Sequence, residues 1–194
     1  MRISGGAARG VTLVVPPGDD VRPATDGLRQ AVFSSLGARA VGARFFDLFA
    51  GSGAYGLEAL SRGAIGGVFV EKNAKAAACI QKNLEAVAKS LGKSSSELAR
   101  VSQTDVLTWS VPAGWACAEL IFIDPPYDRI ATLAPKLLAR ATEWVDRALD
   151  PLILFETPGE LAIAHPDWEP IRRIGGKNAH QPGISVFRMR VTSA

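Results

Sequence analysis

The chain alternates between short apolar runs and longer segments in which apolar positions recur every three or four residues. The apolar runs predict buried strands at residues 43–49, 67–71, 99–103, 120–124 and 151–156. The amphipathic segments predict helices at residues 25–36, 56–62, 74–91 and 132–149. Strands that alternate with helices are typical of a largely parallel sheet covered on both faces, so we expect an α/β fold.

The two ends of the chain depart from this alternation. Residues 1–24 contain short β-type pieces and several prolines, which predict a small N-terminal β arm, while residues 25–194 are expected to form one α/β domain. Residues 168–174 and 184–191 alternate polar and apolar positions with no helix between them, which predicts an antiparallel hairpin at the sheet edge. The expected sheet therefore has seven strands, is mostly parallel and ends in an antiparallel hairpin.

Composition narrows the classes of protein to consider. A chain of 194 residues is of the size that builds one packed domain. It lacks the ~20 consecutive apolar residues that cross a bilayer, and residues 1–6 lack the apolar stretch of a secretory signal. The two cysteines fit neither a disulfide framework nor a metal site. We expect a soluble, cytoplasmic monomer without a metal.

A glycine-rich turn follows the first predicted strand. In parallel α/β sheets, ligands bind outside the carboxyl ends of the strands. Asp47 lies near the end of the first strand, and Gly51 and Gly53 allow the backbone to approach a ligand closely. The spacing Gly51-Ser52-Gly53-Ala54-Tyr55-Gly56 also fits the dinucleotide fingerprint, so spacing alone leaves a nicotinamide cofactor open.

Two further strand ends carry carboxylates. Glu71 ends the second strand, where it can accept hydrogen bonds from a ribose diol. Asp105 follows the third strand, and Val106 beside it can flank an adenine ring. Asp105 is also a good helix N-cap, and both interpretations stay open.

The segment Asp124-Pro125-Pro126-Tyr127 ends the fourth strand and carries the most specific chemistry. An exocyclic amine on a base is a poor nucleophile, because its lone pair is delocalised into the ring. The Asp124 carboxylate and the Pro125 carbonyl can hold the hydrogens of such an amine, and Tyr127 offers a face on which the base can stack. Hydride transfer has no use for this segment, so it favours methyl transfer over a nicotinamide enzyme.

The chain resembles a known family over most of its length, and three segments carry the resemblance. They are residues 2–10, residues 22–33 and residues 47–63, the last similar to D-L-F-A-G-S-G-x-L-G-x-E-A-L-S-R-G almost throughout. The sequence resembles the class I S-adenosylmethionine-dependent methyltransferases, with their Rossmann-like fold. It is similar in particular to the RsmD family, which methylates N2 of one guanine in bacterial 16S ribosomal RNA.

The resemblance implies a role for each candidate residue. Asp47, Gly51 and Gly53 would hold the methionine end of S-adenosylmethionine, Glu71 its ribose and Asp105 its adenine. Asp124, Pro125 and Tyr127 would receive the guanine. An RNA-facing surface would include Arg2, Arg9, Arg22 and Arg29, although Arg22 could instead line the active site. The implied partner is 16S ribosomal RNA within an assembling or assembled small subunit.

Other functions remain open on the sequence alone. The same cofactor could serve methylation of adenine N6 or cytosine N4 in DNA, or of another RNA, but the chain offers no separate target-recognition domain. A glutamine acceptor in a protein is disfavoured, because that chemistry usually carries Asn where Asp124 stands. A non-catalytic RNA-binding relative would keep the basic residues without needing the Asp-Pro-Pro-Tyr segment.

Overall fold

The computed structural model describes residues 1–16, 26–113, 115, 117–159, 161–176 and 181–190. The strands are β1 (Arg44–Leu48), β2 (Gly66–Glu71), β3 (Ala99–Gln103), β4 (Leu120–Ile123), β5 (Leu152–Pro158), β6 (Trp168–Gly175) and β7 (Pro182–Met189). The helices are α1 (Asp26–Leu36), α2 (Ala54–Ser61), α3 (Ala74–Leu91), α4 (Ser95–Leu98) and α5 (Ile130–Ala141). None of the helices in the described ranges is both long and apolar enough to cross a membrane.

The strands form one seven-stranded sheet in the order β3-β2-β1-β4-β5-β7-β6. Strands β1 to β5 pair in parallel, and β7 runs antiparallel to both β5 and β6. The predicted fold class, including the C-terminal hairpin, is confirmed. The order of the strands reverses between β1 and β4, which places a topological switch point at their carboxyl ends.

Both faces of β1, β2, β4 and β5 are buried, as the apolar strands predict, whereas the edge strand β6 is largely exposed. Phe45 of β1 packs with α1, α2 and α3 on one face, while its neighbour Phe46 packs with α5 on the other. Edge-to-face aromatic contacts continue on each side, from Phe45 to Phe69 and from Phe46 to Trp109. This alternation fixes which face each residue at a strand end points to.

The helix predicted at residues 132–149 forms as α5, which begins earlier, at Ile130, and ends much sooner, at Ala141. The prediction of helix is wrong for residues 142–146, and Arg147–Leu149 forms only a single 3-10 turn. The Trp144 indole packs edge-to-face on Trp109, with ring centroids 5.4 Å apart. The Asp146 side chain caps the start of this 3-10 turn by accepting a hydrogen bond from the Ala148 amide at 2.9 Å.

Residues 1–16 fold back onto α2. An antiparallel bridge joins Arg2 to Thr12, and the side chain of Ile3 is buried in the same core as α1 and α2. Glu58 of α2 accepts hydrogen bonds from the backbone amide and the hydroxyl of Ser4, at 2.8 and 2.7 Å. The predicted β arm is thus attached to the sheet domain through a helix that starts at the glycine-rich turn.

Candidate functional site

The site is built at the switch point, where β1 and β4 end side by side. Leu48 pairs with Ile123, so the glycine-rich turn and the Asp-Pro-Pro-Tyr segment leave the sheet from adjacent positions. The backbone amide of Asp124 donates to the Leu48 carbonyl at 3.4 Å, which extends this pairing by one residue. The two motifs that the sequence analysis singled out therefore meet at one edge of the sheet.

The glycine-rich turn reverses the chain tightly before α2. Gly51 and Gly53 have φ angles of 55° and 78°, in the left-handed region that favours glycine. Gly53 is the N-cap of α2, and a Cβ at this position would lie 3.2 Å from Ile80 and 3.3 Å from Leu57 and Phe69. A side chain at Gly53 would therefore crowd neighbours in α2, β2 and α3 and would also be strained by the positive φ angle, so this turn favours glycine.

Asp47 lies beneath this turn and is 2% exposed. Its Oδ2 accepts a hydrogen bond from the Gly56 amide at 2.9 Å. Burial raises the pKa of Asp47 to about 8; the Gly56 bond opposes this shift, and the nearby charge of Glu71 adds to it. A positive group bound at the turn would favour the ionised form of this carboxyl.

Glu71 joins the end of β2 to the same turn. Its Oε2 accepts from the Gly51 amide at 2.9 Å, and its Oε1 accepts from the Asn73 amide at 2.7 Å. Each carboxylate oxygen has two acceptor sites, so Glu71 can accept further hydrogen bonds from a ligand. The two hydroxyl groups of a ribose could donate these further hydrogen bonds to Glu71.

Asp105 caps a turn, and no helix begins there. Its Oδ1 accepts from the Leu107 amide at 2.9 Å, and its Oδ2 accepts from the Lys72 ammonium, also at 2.9 Å. The bond from Lys72 and then the bond from Leu107 hold the pKa of Asp105 below its ordinary value. The sequence left open that Asp105 is a helix N-cap, but in the structure only a short turn follows it.

A cavity of about 390 Å³ lies between these strand ends and the start of α5. It has the size and mixed polar and apolar lining of a small-molecule site. Its lining residues are Phe49, Glu71, Lys72, Asn73, Asp105, Val106, Leu107, Pro126, Arg129 and Leu133. Glu71, Asp105 and Val106 thus share one cavity. Asp47 in β1 and Gly51 and Gly53 in the turn do not line it, and the turn is joined to it by the Gly51 amide, which donates to Glu71.

The Asp-Pro-Pro-Tyr segment forms the other half of the site. Asp124 is half-buried, and burial, then the charges of Glu156 and Asp47, raises its pKa well above the ordinary value. Pro125 is buried, whereas the Tyr127 ring is 43% exposed at the start of a 3-10 turn. A planar ligand can therefore reach Tyr127 from solvent while lying near the Asp124 carboxyl.

Glu156 is a site residue that the sequence analysis missed. It lies near the end of β5, is 3% exposed, and accepts hydrogen bonds from the Tyr127 hydroxyl at 2.9 Å and the Tyr55 hydroxyl at 3.2 Å. Tyr55 in turn stacks on Phe122. The rule that identified Glu71 and Asp124, a carboxylate at the end of a parallel strand, applies equally to Glu156 and could have found it.

The predicted RNA-facing arginines do not share one environment. Arg2 and Arg9 are exposed on the N-terminal arm, and Arg22 lies outside the described residues. Arg29 is fully buried: it donates to Glu58 at 3.2 Å, to Asp26 at 3.0 Å and to the carbonyl of Arg2. A buried guanidinium in an ion pair does not suit an RNA contact, so Arg29 holds the arm to α2 instead.

Comparison with known proteins assigns the family. Ribosomal RNA small subunit methyltransferase D of Escherichia coli K12 is 37% identical over 129 residues, or 66% of this chain, and that alignment spans only 61% of the relative's length. The protein of the same name from Haemophilus influenzae is 31% identical over 86% of this chain and 83% of its own length. The solved structure "Putative methyltransferase yhhF from Escherichia coli" has 30% identity and a TM-score of 0.77, with 97% of each chain covered.

The resemblance noted in the sequence is therefore confirmed at the level of the family and of the Rossmann-like methyltransferase fold. The matching family, described as Conserved hypothetical protein 95, aligns with residues 1–179. This segment contains the arm, the glycine-rich turn and the Asp-Pro-Pro-Tyr segment. The chain belongs to this family, that of the RsmD methyltransferases.

Proposed function

We propose that the protein transfers a methyl group from S-adenosylmethionine to the exocyclic N2 of a guanine in 16S ribosomal RNA. The observation that carries this proposal is the meeting of the two motifs at the β1 and β4 ends, where a carboxylate-lined cavity adjoins Asp124 and Tyr127. The names of the relatives add support, since two are ribosomal RNA small subunit methyltransferases.

The cavity suits the cofactor in size and in charge. Glu71 would accept hydrogen bonds from the ribose hydroxyls, and Val106 with Asp105 would hold the adenine. Asp47 and the turn at Gly51 and Gly53 would face the methionine end, where the positive charges of the cofactor compensate the buried carboxyl. When bound, the cofactor supplies an electrophilic methyl group on a sulfonium.

Asp124 and Pro125 would activate the acceptor amine. The Asp124 carboxylate and the Pro125 carbonyl accept the two N2 hydrogens, which favours the rehybridisation that frees the nitrogen lone pair. When the methyl group of a bound cofactor is transferred to this nitrogen, the amine would lose one proton, which the Asp124 carboxylate would accept. A raised pKa makes the Asp124 carboxylate a better acceptor for that proton. Tyr127 would stack on the base.

The N-terminal arm would supply part of the RNA surface. Arg2 and Arg9 are exposed there and can contact phosphates. Because the arm is small, we infer that ribosomal proteins help to define the target. A small subunit should then be methylated faster than protein-free RNA, and equal rates on both substrates would contradict this part of the proposal.

The test is transfer of tritiated methyl to small ribosomal subunits from a strain that lacks the family enzyme, followed by nucleoside analysis. We expect label in N2-methylguanosine. Asp124→Ala should abolish transfer while cofactor binding persists, and Asp128→Ala, an exposed neighbour in the same turn, is the matched control. Label in another nucleoside would contradict the acceptor, and binding of the cofactor without any transfer would indicate a non-catalytic relative.

A further inference from the structure

Glu156 and Asp124 lie side by side on neighbouring parallel strands. The register pairs Ile123 with Phe155, so the next residue on each strand is a carboxylate. Parallel strands are about 4.8 Å apart. Phe122 and Leu154, two positions earlier, both pack on the face that α1, α2 and α3 cover. Side chains alternate along a strand, and the two carboxyl groups therefore point to the same face.

The surroundings of Glu156 are unusual for a carboxylate that only supports the fold. Glu156 forms no ion pair within the described ranges, and it lies close enough to Asp124 for their charges to interact. Its two hydroxyl partners use about half of the four acceptor positions of a carboxylate. Tyr127, one of these partners, is 43% exposed, so a ligand can displace it without disturbing the core.

We propose that Glu156 accepts a hydrogen bond from N1–H of the target guanine, beside Asp124, and so selects guanine among the bases that carry an exocyclic amine. This inference rests on the proposed function. In the free protein Glu156 holds the Tyr127 hydroxyl, and the base takes the place of that hydroxyl as the ring of Tyr127 moves to stack on it.

The selection follows from the pattern of donors on each base. Guanine presents N1–H next to its N2 amine, so two neighbouring carboxylates can each accept a hydrogen bond. Adenine and cytosine instead have a ring nitrogen that accepts hydrogen bonds next to the amine. This nitrogen would face the Glu156 carboxylate with no hydrogen atom between the two acceptors. A buried acceptor that faces another acceptor is left unsatisfied, and sites of this kind discriminate strongly.

The experiment compares guanine with 2-aminopurine at the methylated position of an RNA assembled into small subunits. 2-Aminopurine keeps the N2 amine but offers an acceptor at N1. For the wild-type enzyme we expect kcat/KM on 2-aminopurine to be lower by about 10- to 100-fold. Glu156→Gln has an amide that can donate to N1, so its preference for guanine should shrink by at least about tenfold.

Two further variants separate recognition from structural support. Tyr55→Phe removes the other hydroxyl partner of Glu156 and should keep the wild-type preference between the two bases. Glu156→Asp keeps an acceptor-only group and should also keep the preference, with a lower rate. If Glu156→Gln fails to fold, the ratio of wild-type kcat/KM on guanine and on 2-aminopurine still tests the inference.

The outcomes distinguish this inference from the proposed function. If the wild-type enzyme puts no label in guanine, the proposed function fails. If it methylates guanine but accepts 2-aminopurine equally well, the inference alone is wrong. The inference is also wrong if Glu156→Gln lowers both rates equally and leaves their ratio unchanged, because a structural role predicts that result.

Discussion

Three carboxyl groups with raised pKa values converge at the ends of β1, β4 and β5. Burial is the largest cause of the rise for Asp47, Asp124 and Glu156 alike. None of the three forms an ion pair with another described residue. Buried carboxyls without cations are costly to ionise, and a cationic cofactor would relieve that cost at Asp47.

The pKa of Asp47 predicts a pH-dependent stability. Between the ordinary value of 3.8 and the folded value of about 8, the folded protein keeps a proton that the unfolded chain has released. The contribution of Asp47 to stability is full below this window and decreases as the pH rises through it. The side chain in Asp47→Asn cannot lose a proton. The difference in free energy of unfolding, variant minus wild type, should therefore increase as the pH rises through this window. Urea unfolding across the window measures the difference, and parallel pH profiles would contradict the prediction.

The buried pair of Arg29 and Glu58 predicts a large loss of stability. Burial alone would raise the pKa of Glu58, but bonds from Ser4 and Arg62 hold it below the ordinary value, so the charge is retained. Arg29→Met should lower the free energy of unfolding by about 3 kcal/mol, since it removes one of the two guanidinium groups paired with the buried Glu58 carboxylate and the donor to the Arg2 carbonyl. Arg39→Ala breaks an exposed pair with Asp150 and should change it by about 1 kcal/mol or less. Urea unfolding of both variants checks the contrast.

At the scale of elements, α2 lies unusually close to the sheet because of one glycine. A Cβ at Gly56 would lie 2.4 Å from the rings of both Phe45 and Phe69. Gly56→Ala should therefore lower the free energy of unfolding by about 1 to 3 kcal/mol through overpacking. Gly27 in α1 has open space around it, and Gly27→Ala should raise stability by about 0.5 to 1 kcal/mol. Thermal unfolding measures both, and shifts of the same sign would contradict the argument.

The sequence predicts the elements better than it predicts their long-range contacts. Strand positions and the C-terminal hairpin follow from hydrophobic periodicity, which is a local property. The contact of Tyr127 with Glu156 joins residues 29 positions apart, and the burial of Arg29 depends on the arm folding back onto α2. Neither is visible in a local pattern. For the same reason Arg29 resembled a surface cation in the sequence, and the contacts of Glu156 with Tyr55 and Tyr127 were not expected.

Across the whole molecule, many arginines are already paired within the chain. Hydrogen bonds from Arg188 and, to a smaller extent, from Arg39 lower the pKa of the Asp150 carboxyl to about 2, against the effect of burial. Arg2 and Arg9, by contrast, have exposed side chains on the arm. The formal net charge of +3 therefore says less about RNA binding than the position of these two side chains does.

If Arg2 and Arg9 contact phosphates, the salt dependence of RNA binding should report it. Replacing both with alanine should reduce the steepness of the slope of log K against log salt by about 1.4 to 1.8, because each phosphate contact contributes roughly 0.7 on single strands and roughly 0.9 on duplexes. Arg39→Ala is the control, since its guanidinium is paired with Asp150. Filter binding at several salt concentrations measures the slopes, and an unchanged slope in the double variant would place the RNA surface elsewhere.

The attachment of the arm to α2 limits how the protein can be divided by deletion. Residues 1–16 give the core the side chains of Ile3, Ala8 and Leu13, and they give Glu58 and Arg29 one hydrogen-bonding residue each, Ser4 and Arg2. A version that begins at residue 25, the boundary predicted between arm and domain, would expose that core and should aggregate during expression. Binding of RNA and stability of the fold can be separated here only by point substitutions on the outer side of the arm.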